Sequence, residues 1–189
     1  ERDLRDQLVT KTSRHDSLLE LERRRDDLSE GCKSVLDAGL EECLGPISGL
    51  WDVPQEYEAA TQSALSINMD AVVMGSQTAK RAAISFASEM KTPKVLLAQL
   101  ETNAFSRTTQ IPKGASVVGY LVDLINPEKG RDLLAYCISD ALLVESVEDA
   151  LDVLEKGFSG SVVTLGGDRF LADAIACVGR SGDDIGPIQ

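Results

Sequence analysis

Histidine is nearly absent from this chain: His15 is the only one in 189 residues. The four cysteines, Cys32, Cys43, Cys137 and Cys177, lie far apart with no C-x-x-C pair, so the ligand spacing of a zinc site is missing and no metal is expected. A Cys-His catalytic pair would have to use His15, which sits in a charged segment that reads as helix. The thiols are therefore expected to be reduced, partly buried cysteines of a cytoplasmic protein. No apolar run approaches the roughly 18 residues of a membrane span, and the opening ERDLRDQ has nothing of a secretory leader. Nor does the sequence contain G-x-x-x-x-G-K-S/T, the phosphate loop of nucleotide hydrolases. It opens on Glu1 with no initiator Met, which points to a segment of a longer protein.

What is abundant is acid. A net charge of −12 argues against a surface that attracts nucleic acid phosphates as a whole. Arg23-Arg24-Arg25 is the only basic run, and Glu20, Glu22, Asp26 and Asp27 flank it, so it reads as a solvated helix face. With 43% hydrophobic residues, the chain can bury one substantial core or two small ones.

The first 35 residues, ERDLRDQLVTKTSRHDSLLELERRRDDLSEGCKSV, are highly charged, lack proline and place their one glycine late, at Gly31, so they read as helix. Leu4, Leu8, Lys11, His15 and Leu18 follow the four-three spacing of coiled-coil seam positions, and Leu21, Arg25, Leu28, Cys32 and Val35 continue it. Two three-residue steps meet near Leu18, a stammer-like break that overwinds a coil locally. A stripe this narrow, interrupted by Lys11, His15 and Arg25, needs another element along it. Either the helix packs on the globular body, or it is one strand of a coiled coil whose partner lies outside this sequence. Charge nearly all round favours the second.

After about residue 40, short apolar runs alternate with helical stretches, the pattern of α/β units. Shifting the chain by 70 residues lays Asp70-Ala-Val-Val-Met on Asp140-Ala-Leu-Leu-Val and Ser76 on Ser146. The same shift lays Gly49 of GLWDV on Gly119 of GYLVDLI, each expected to open a short apolar strand ending before Pro54 or Pro127. Both halves thus read β-α-β-α-β. Ser76 and Ser146 stand where helix N-caps belong, with Asp149 completing a capping box. Pro54 opens a helix whose Tyr57, Ala60, Ala64 and Leu65 share a face. Between the halves, TNAFSRTTQIPKGAS is polar and holds Pro112 and Gly114, as a linker does.

A long coiled-coil helix running into an α/β body of two similar halves resembles the hinge domain of SMC (structural maintenance of chromosomes) proteins, in its bacterial form. Gly45-Pro-Ile-Ser-Gly-Leu-Trp-Asp-Val is similar to the family's opening strand, and Tyr57-Glu-Ala-Ala-Thr-Gln-Ser-Ala-Leu to its Y-x-x-A-x-x-x-A-L helix. Asp70-Ala-Val-Val-Met with Ala79-Lys-Arg-Ala-Ala-Ile resembles the next strand and helix. Gly119-Tyr-Leu-Val-Asp-Leu-Ile and Asp140-Ala-Leu-Leu-Val-Glu resemble the start of the second half, and Val163-Thr-Leu-Gly-Gly-Asp the family's T-L-D-G-E/D. The likeness runs from Leu40 to about Arg180.

The resemblance implies a coiled-coil arm over residues 1–38, hinge subdomain I over 39–101, a linker over 102–116 and subdomain II over 117–189. It implies a homodimer joined head to tail, a descending coiled-coil helix that pairs with the arm, accessory subunits of condensin type, a DNA contact and a nucleoid-associated, cytoplasmic protein. ATP hydrolysis would belong to a distant head domain, so this segment is expected to carry no catalysis and no cofactor. Where the family often has glycines at the dimer seam, this chain has Ala172, Ala174 and Val178, with Gly179 retained; Ala176 shares that strand. The expected interface is this strand together with Lys94, Leu96 and Ala98. Gly166-Gly167 is read as a two-residue hairpin turn with positive φ, after which Arg169 returns as the partner strand. An alternative remains, a small-molecule-binding or enzymatic α/β domain that uses the cleft between the halves, with Asp70, Asp140 and Asp168 near strand ends.

Overall fold

In the computed structural model, which describes residues 28–103, 106–138, 141–171 and 175–179, the chain enters through a capped helix. Ser29 has extended backbone (φ −61°, ψ 151°) and its Oγ accepts from the Cys32 N–H, so it caps helix α1, Glu30–Asp37. Of the expected arm over 1–38, residues 1–27 lie outside the described residues. The Asp70 carboxylate accepts the Ser29 N–H at 3.1 Å and anchors that residue to the body outside helical geometry. Leu4, Leu8, Leu18 and Leu21 lie outside the described residues. Cys32 and Val35, expected on a coiled-coil seam, are fully buried against Val72, Met74, Ala79 and Ala83, with Leu28 packed beside them. An apolar sheet face satisfies their stripe as well as a second helix would. Gly31 permits the close docking, because a Cβ there would meet the Lys94 carbonyl oxygen at 2.4 Å.

The first sheet has the order β1-β2-β3. Strand β1, Cys43–Pro46, pairs antiparallel with β2, Val72–Met74, and β2 pairs parallel with β3, Leu97–Gln99. Between β1 and β2 run two 3-10 turns, Ile47–Gly49 and Gln55–Tyr57, helix α2, Glu58–Leu65, and a third turn, Ser66–Asp70. Helix α3, Gln77–Glu89, bridges β2 and β3 and is capped by the Ser76 Oγ, which accepts the Ala79 N–H at 3.2 Å. Strand β2 is buried on both faces, which is why it is spelled Val-Val-Met: Val72 and Met74 face α1 and α3, while Val73 faces Ile47 and Leu133.

The second sheet has the order β4-β5-β6-β7-β8. Strand β4, Gly119–Tyr120, pairs antiparallel with β5, Leu142–Val144, which pairs parallel with β6, Ser161–Thr164. Strands β7, Arg169–Leu171, and β8, Ile175–Cys177, follow as antiparallel neighbours. Helices α4, Leu121–Ile125, and α5, Arg131–Ile138, join β4 to β5, and α6, Val147–Glu155, joins β5 to β6. The α6 cap is doubled, since Ser146 Oγ both accepts the Asp149 N–H (3.2 Å) and donates to its carboxylate (2.6 Å).

The two ladders correct the repeat in its opening strand. Gly45 pairs with Val73 and Gly119 with Leu143, so Gly45, not Gly49, is the counterpart of Gly119. The Ile47 N–H donates to the Ala71 carbonyl (2.8 Å) as the Leu121 N–H does to Ala141 (3.0 Å), which repeats the same register. Gly49 itself ends a 3-10 turn. Leu121 to Ile125, expected as strand, is helix because Leu121, Val122 and Ile125 bury one helical face.

More than the linker joins the halves. Helix α2 belongs to the first half in sequence, yet its Ala60, Ala64 and Leu65 pack into the second half's core against α5, β6 and β7. From the other direction, Leu133 of α5 packs on Ile47, Ala71 and Val73. Trp51 lies where these clusters meet and donates from Nε1 to the Lys129 carbonyl at 2.9 Å. Residues 106–116 are laid along the second half: Arg107 stacks 3.6 Å over the Tyr120 ring and pairs with Asp123 at 2.8 Å, and Lys156 Nζ donates to the Gly114 carbonyl at 2.8 Å.

Candidate functional site

A sheet edge presents backbone N–H and C=O groups that another chain can pair with, unless something blunts it. The two sheets have four edges, and they differ in how they are blunted. Strand β1 carries an irregularity between Cys43 and Gly45 and ends in Pro46, which has no N–H to offer. Strand β4 is two residues long. Among the described residues, strands β3 and β8 have neither defence, and they belong to opposite halves.

In β3, the Val72 N–H donates to the Leu96 carbonyl and the Leu100 N–H to the Met74 carbonyl, both at 2.9 Å. Even-numbered residues therefore direct their backbone groups toward β2, and by the two-residue alternation Leu97 and Gln99 direct theirs outward. Of the expected interface residues here, Ala98 is half-buried at the centre of the strand and Leu96 is exposed just before it. Lys94 is exposed, and its backbone lies under α1 at Gly31. Leu97 and Gln99 are not among the expected interface residues, because sequence alone does not say which alternate residues face the neighbouring strand.

In β8, Ile175 is 60% exposed and the following Val178 59%, and Leu171 opposite Ile175 is 37% exposed. Cross-strand partners share a face, so Leu171 and Ile175 form an exposed apolar pair at the sheet margin. Ala176 and Gly179 are exposed as well; Ala172 and Ala174 lie outside the described residues. Leu171 and Ile175 were not among the expected interface residues, although they are the large apolar residues of LADAIACVG besides Val178.

The hairpin behind this edge is rigidly tied. The Gly167 N–H donates to the Thr164 carbonyl (3.0 Å) and the Thr164 N–H to the Asp168 carbonyl (2.9 Å), enclosing three loop residues, Leu165, Gly166 and Gly167. Only Gly167 has positive φ, +90°, so the expected two-residue turn with both glycines left-handed is replaced by a three-residue loop that places its glycine last. A Cβ at Gly167 would also sit 3.2 Å from the Ala59 carbonyl oxygen, which explains the glycine twice over: the turn packs on α2. Asp168 accepts the Gly179 N–H at 2.9 Å and its other oxygen lies 3.1 Å from Thr164 Oγ1, fastening the end of β8 to the turn. Arg169 donates to the Ser63 carbonyl (3.1 Å) and Ser161 Oγ (3.2 Å), and its burial lowers the guanidinium's pKa.

The carboxylates that could have marked a cleft chemistry have other partners. Asp70 holds the start of α1, Asp168 holds the end of β8, and Asp140 lies outside the described residues. Among the described residues no three of His, Cys, Asp and Glu come together as a metal site, and no helix is long and apolar enough to cross a membrane.

The family model for the flexible hinge domain of SMC proteins matches residues 40–154. The chain is 26% identical over 161 residues to the chromosome partition protein Smc of Fusobacterium nucleatum, covering 84% of this chain and 14% of that protein. It therefore spans about a seventh of that relative. Among solved structures, it resembles the Geobacillus stearothermophilus SMC hinge domain, crystallised as an asymmetric dimer, with a TM-score of 0.76 and 22% identity over 92% of this chain and 75% of that one. It also resembles the Pyrococcus furiosus SMC hinge domain, with a TM-score of 0.63 and 18% identity over 89% of this chain and 91% of that one.

Proposed function

The chain belongs to the SMC flexible hinge domain family, and we propose that it is the dimerisation hinge of a chromosome-organising SMC ATPase, joining two coiled-coil arms. The observation that carries the reading is the pair of unblunted edges on opposite halves. Strand β8 of one copy, with Ile175 and Val178 exposed, pairs with β3 of the other through the outward backbone groups of Leu97 and Gln99. A two-fold axis repeats the contact, so two equivalent seams close a ring and only the blunted edges β1 and β4 are left. ATP hydrolysis, accessory subunits, the descending arm helix and the cytoplasmic, nucleoid-associated setting belong in this proposal to the longer protein.

Light scattering tests it directly. The chain is expected to run at twice its 20.3 kDa at about 10 micromolar, and Ile175→Asp or Leu97→Pro is expected to give a monomer with an unchanged far-UV spectrum. A wild-type monomer, or a dimer indifferent to both changes, overturns the reading.

The proposed DNA contact is weak. Given the net charge of −12, a gel-shift complex formed at low salt is expected to vanish by about 0.15 M, as nonspecific phosphate attraction does. A complex that survives that salt would show a dedicated DNA site.

A further inference from the structure

Strand β8 is only three residues long, and among the described residues its one sheet neighbour is β7, so little backbone pairing holds it. The register sets Arg169 opposite Cys177 and, carried two residues on, Gly167 opposite Gly179. Gly167 lies in the turn, where its N–H already donates to the Thr164 carbonyl, so the ladder ends before Gly179 is reached. The Asp168 carboxylate supplies the missing acceptor, its Oδ1 taking the Gly179 N–H at 2.9 Å. That carboxylate is aimed from behind. The Asp168 N–H donates to Thr164 Oγ1 at 3.0 Å, the same hydroxyl donates to Asp168 Oδ2 at 3.1 Å, and Thr164 is buried. Gly179 has φ +117°, and no described atom lies within 4 Å of where a Cβ would sit, so its backbone rather than a close approach calls for glycine.

Because the Gly179 N–H points toward the β7 side, the two-residue alternation turns the Cys177 backbone groups inward as well, and those of Ala176 and Val178 outward. These outward groups are the ones an added strand pairs with. We propose that Asp168 is a positioning residue of the dimer seam. By fixing Gly179 it holds Val178 in line with Ala176, so β8 offers the partner's β3 two outward residues instead of one. This role rests on the β8–β3 seam being the dimer contact. The carboxylate lies on the β7 side of Gly179, so it acts through the strand and not on the partner. Holding the edge in its paired form before contact removes an ordering cost from association.

Sedimentation velocity on the whole chain, through a dilution series, gives the dimer dissociation constant. Asp168→Ala is expected to raise it about tenfold or more, as loss of a bond to a charged acceptor does. Asp168→Asn is expected to stay within about threefold of wild type, because its amide oxygen still accepts the Gly179 N–H and its NH2 donates to Thr164 Oγ1. Asp149→Ala also strips a carboxylate from a hydroxyl, but on α6; it is expected to lower the melting temperature and leave the constant within about twofold. Should Asp168→Ala fail to fold, Thr164→Val removes the hydroxyl behind the carboxylate and is expected to raise the constant about threefold. In the Ile175→Asp monomer, where no partner covers the edge, adding Asp168→Ala is expected to speed exchange of the Gly179 amide about tenfold. A dimer that Ile175→Asp breaks and Asp168→Ala leaves alone, an Asn variant as weak as the Ala one, or an unmoved Gly179 exchange rate overturns the role of Asp168 while the seam stands. A wild-type monomer overturns the seam and this role with it.

Discussion

In the first half β2 runs between an antiparallel β1 and a parallel β3; in the second, β5 runs between β4 and β6 in the same senses. The third strands of the two ladders then have opposite fates. Strand β6 is buried along its length, because the chain turns at Gly166-Gly167 and lays β7 and β8 beyond it. Strand β3 is only half-buried, because the chain leaves it for a polar linker that runs along the other half. One repeat thus covers its third strand with its own hairpin, and the other leaves the equivalent edge open. The proposed seam rests on this difference: the first half lacks the strands that the second half carries in excess.

The sharpest way to break this comparison is to ask whether the halves are separate units at all. Leu134 on α5 is fully buried in the larger core, so Leu134→Ala is expected to cost roughly 2–5 kcal/mol. Because α2 and Trp51 tie the halves, that loss is expected to appear in one transition, with Trp51 fluorescence and far-UV circular dichroism coincident. Two transitions, with Trp51 unaffected, would mean the halves melt alone.

A smaller effect distinguishes the halves by pH. Burial, reinforced by the Asp70 carboxylate, raises the Cys32 thiol from 9.0 to about 11. The folded chain then holds a proton that the unfolded chain releases. Stability is complete below about pH 9 and falls as pH rises through 11, by up to roughly 3 kcal/mol. Cys137, between the halves, is raised by burial to about 11 as well and adds in the same direction. Urea unfolding at pH 8 and pH 10.5 reads the drop. Cys32→Ala, whatever its own cost, is expected to flatten part of the slope, and an unchanged slope would refute the assignment.

The smallest effect compares two matched caps. Ser76→Ala and Ser146→Ala each remove one bond to a helix N–H, for about 1 kcal/mol. Ser146 is expected to cost more, because its hydroxyl also binds the Asp149 carboxylate. Equal losses at pH 7 would show that this second bond contributes nothing net.

These two caps, and the strands that precede them, were legible in the sequence for local reasons: a strand buried on both faces is spelled as an unbroken apolar run, and a serine before a helix needs only its own turn to act. The hairpin return at Arg169 was legible too. Strand β1 was not, since Cys-Leu-Gly-Pro has no two-residue period to read. GYLVDLI was ambiguous, because a short apolar run suits a strand and a buried helical turn equally. The stripe through Cys32 and Val35 declared an apolar face without declaring what covers it. The outward residues of β3 follow from register, which exists only once the strands are paired.

The placement of α2 has a consequence for cutting the chain. A protease that opens the linker at the exposed Lys113 separates the sequence into two pieces but does not release two bodies, because a helix of one piece is part of the core of the other. The nicked molecule is a complemented pair of fragments, held by Ala60, Ala64, Leu65 and the Trp51 bond rather than by the peptide chain. Continuity of the chain at the linker is then dispensable, while α2 has to stay where it is for either half to keep its core.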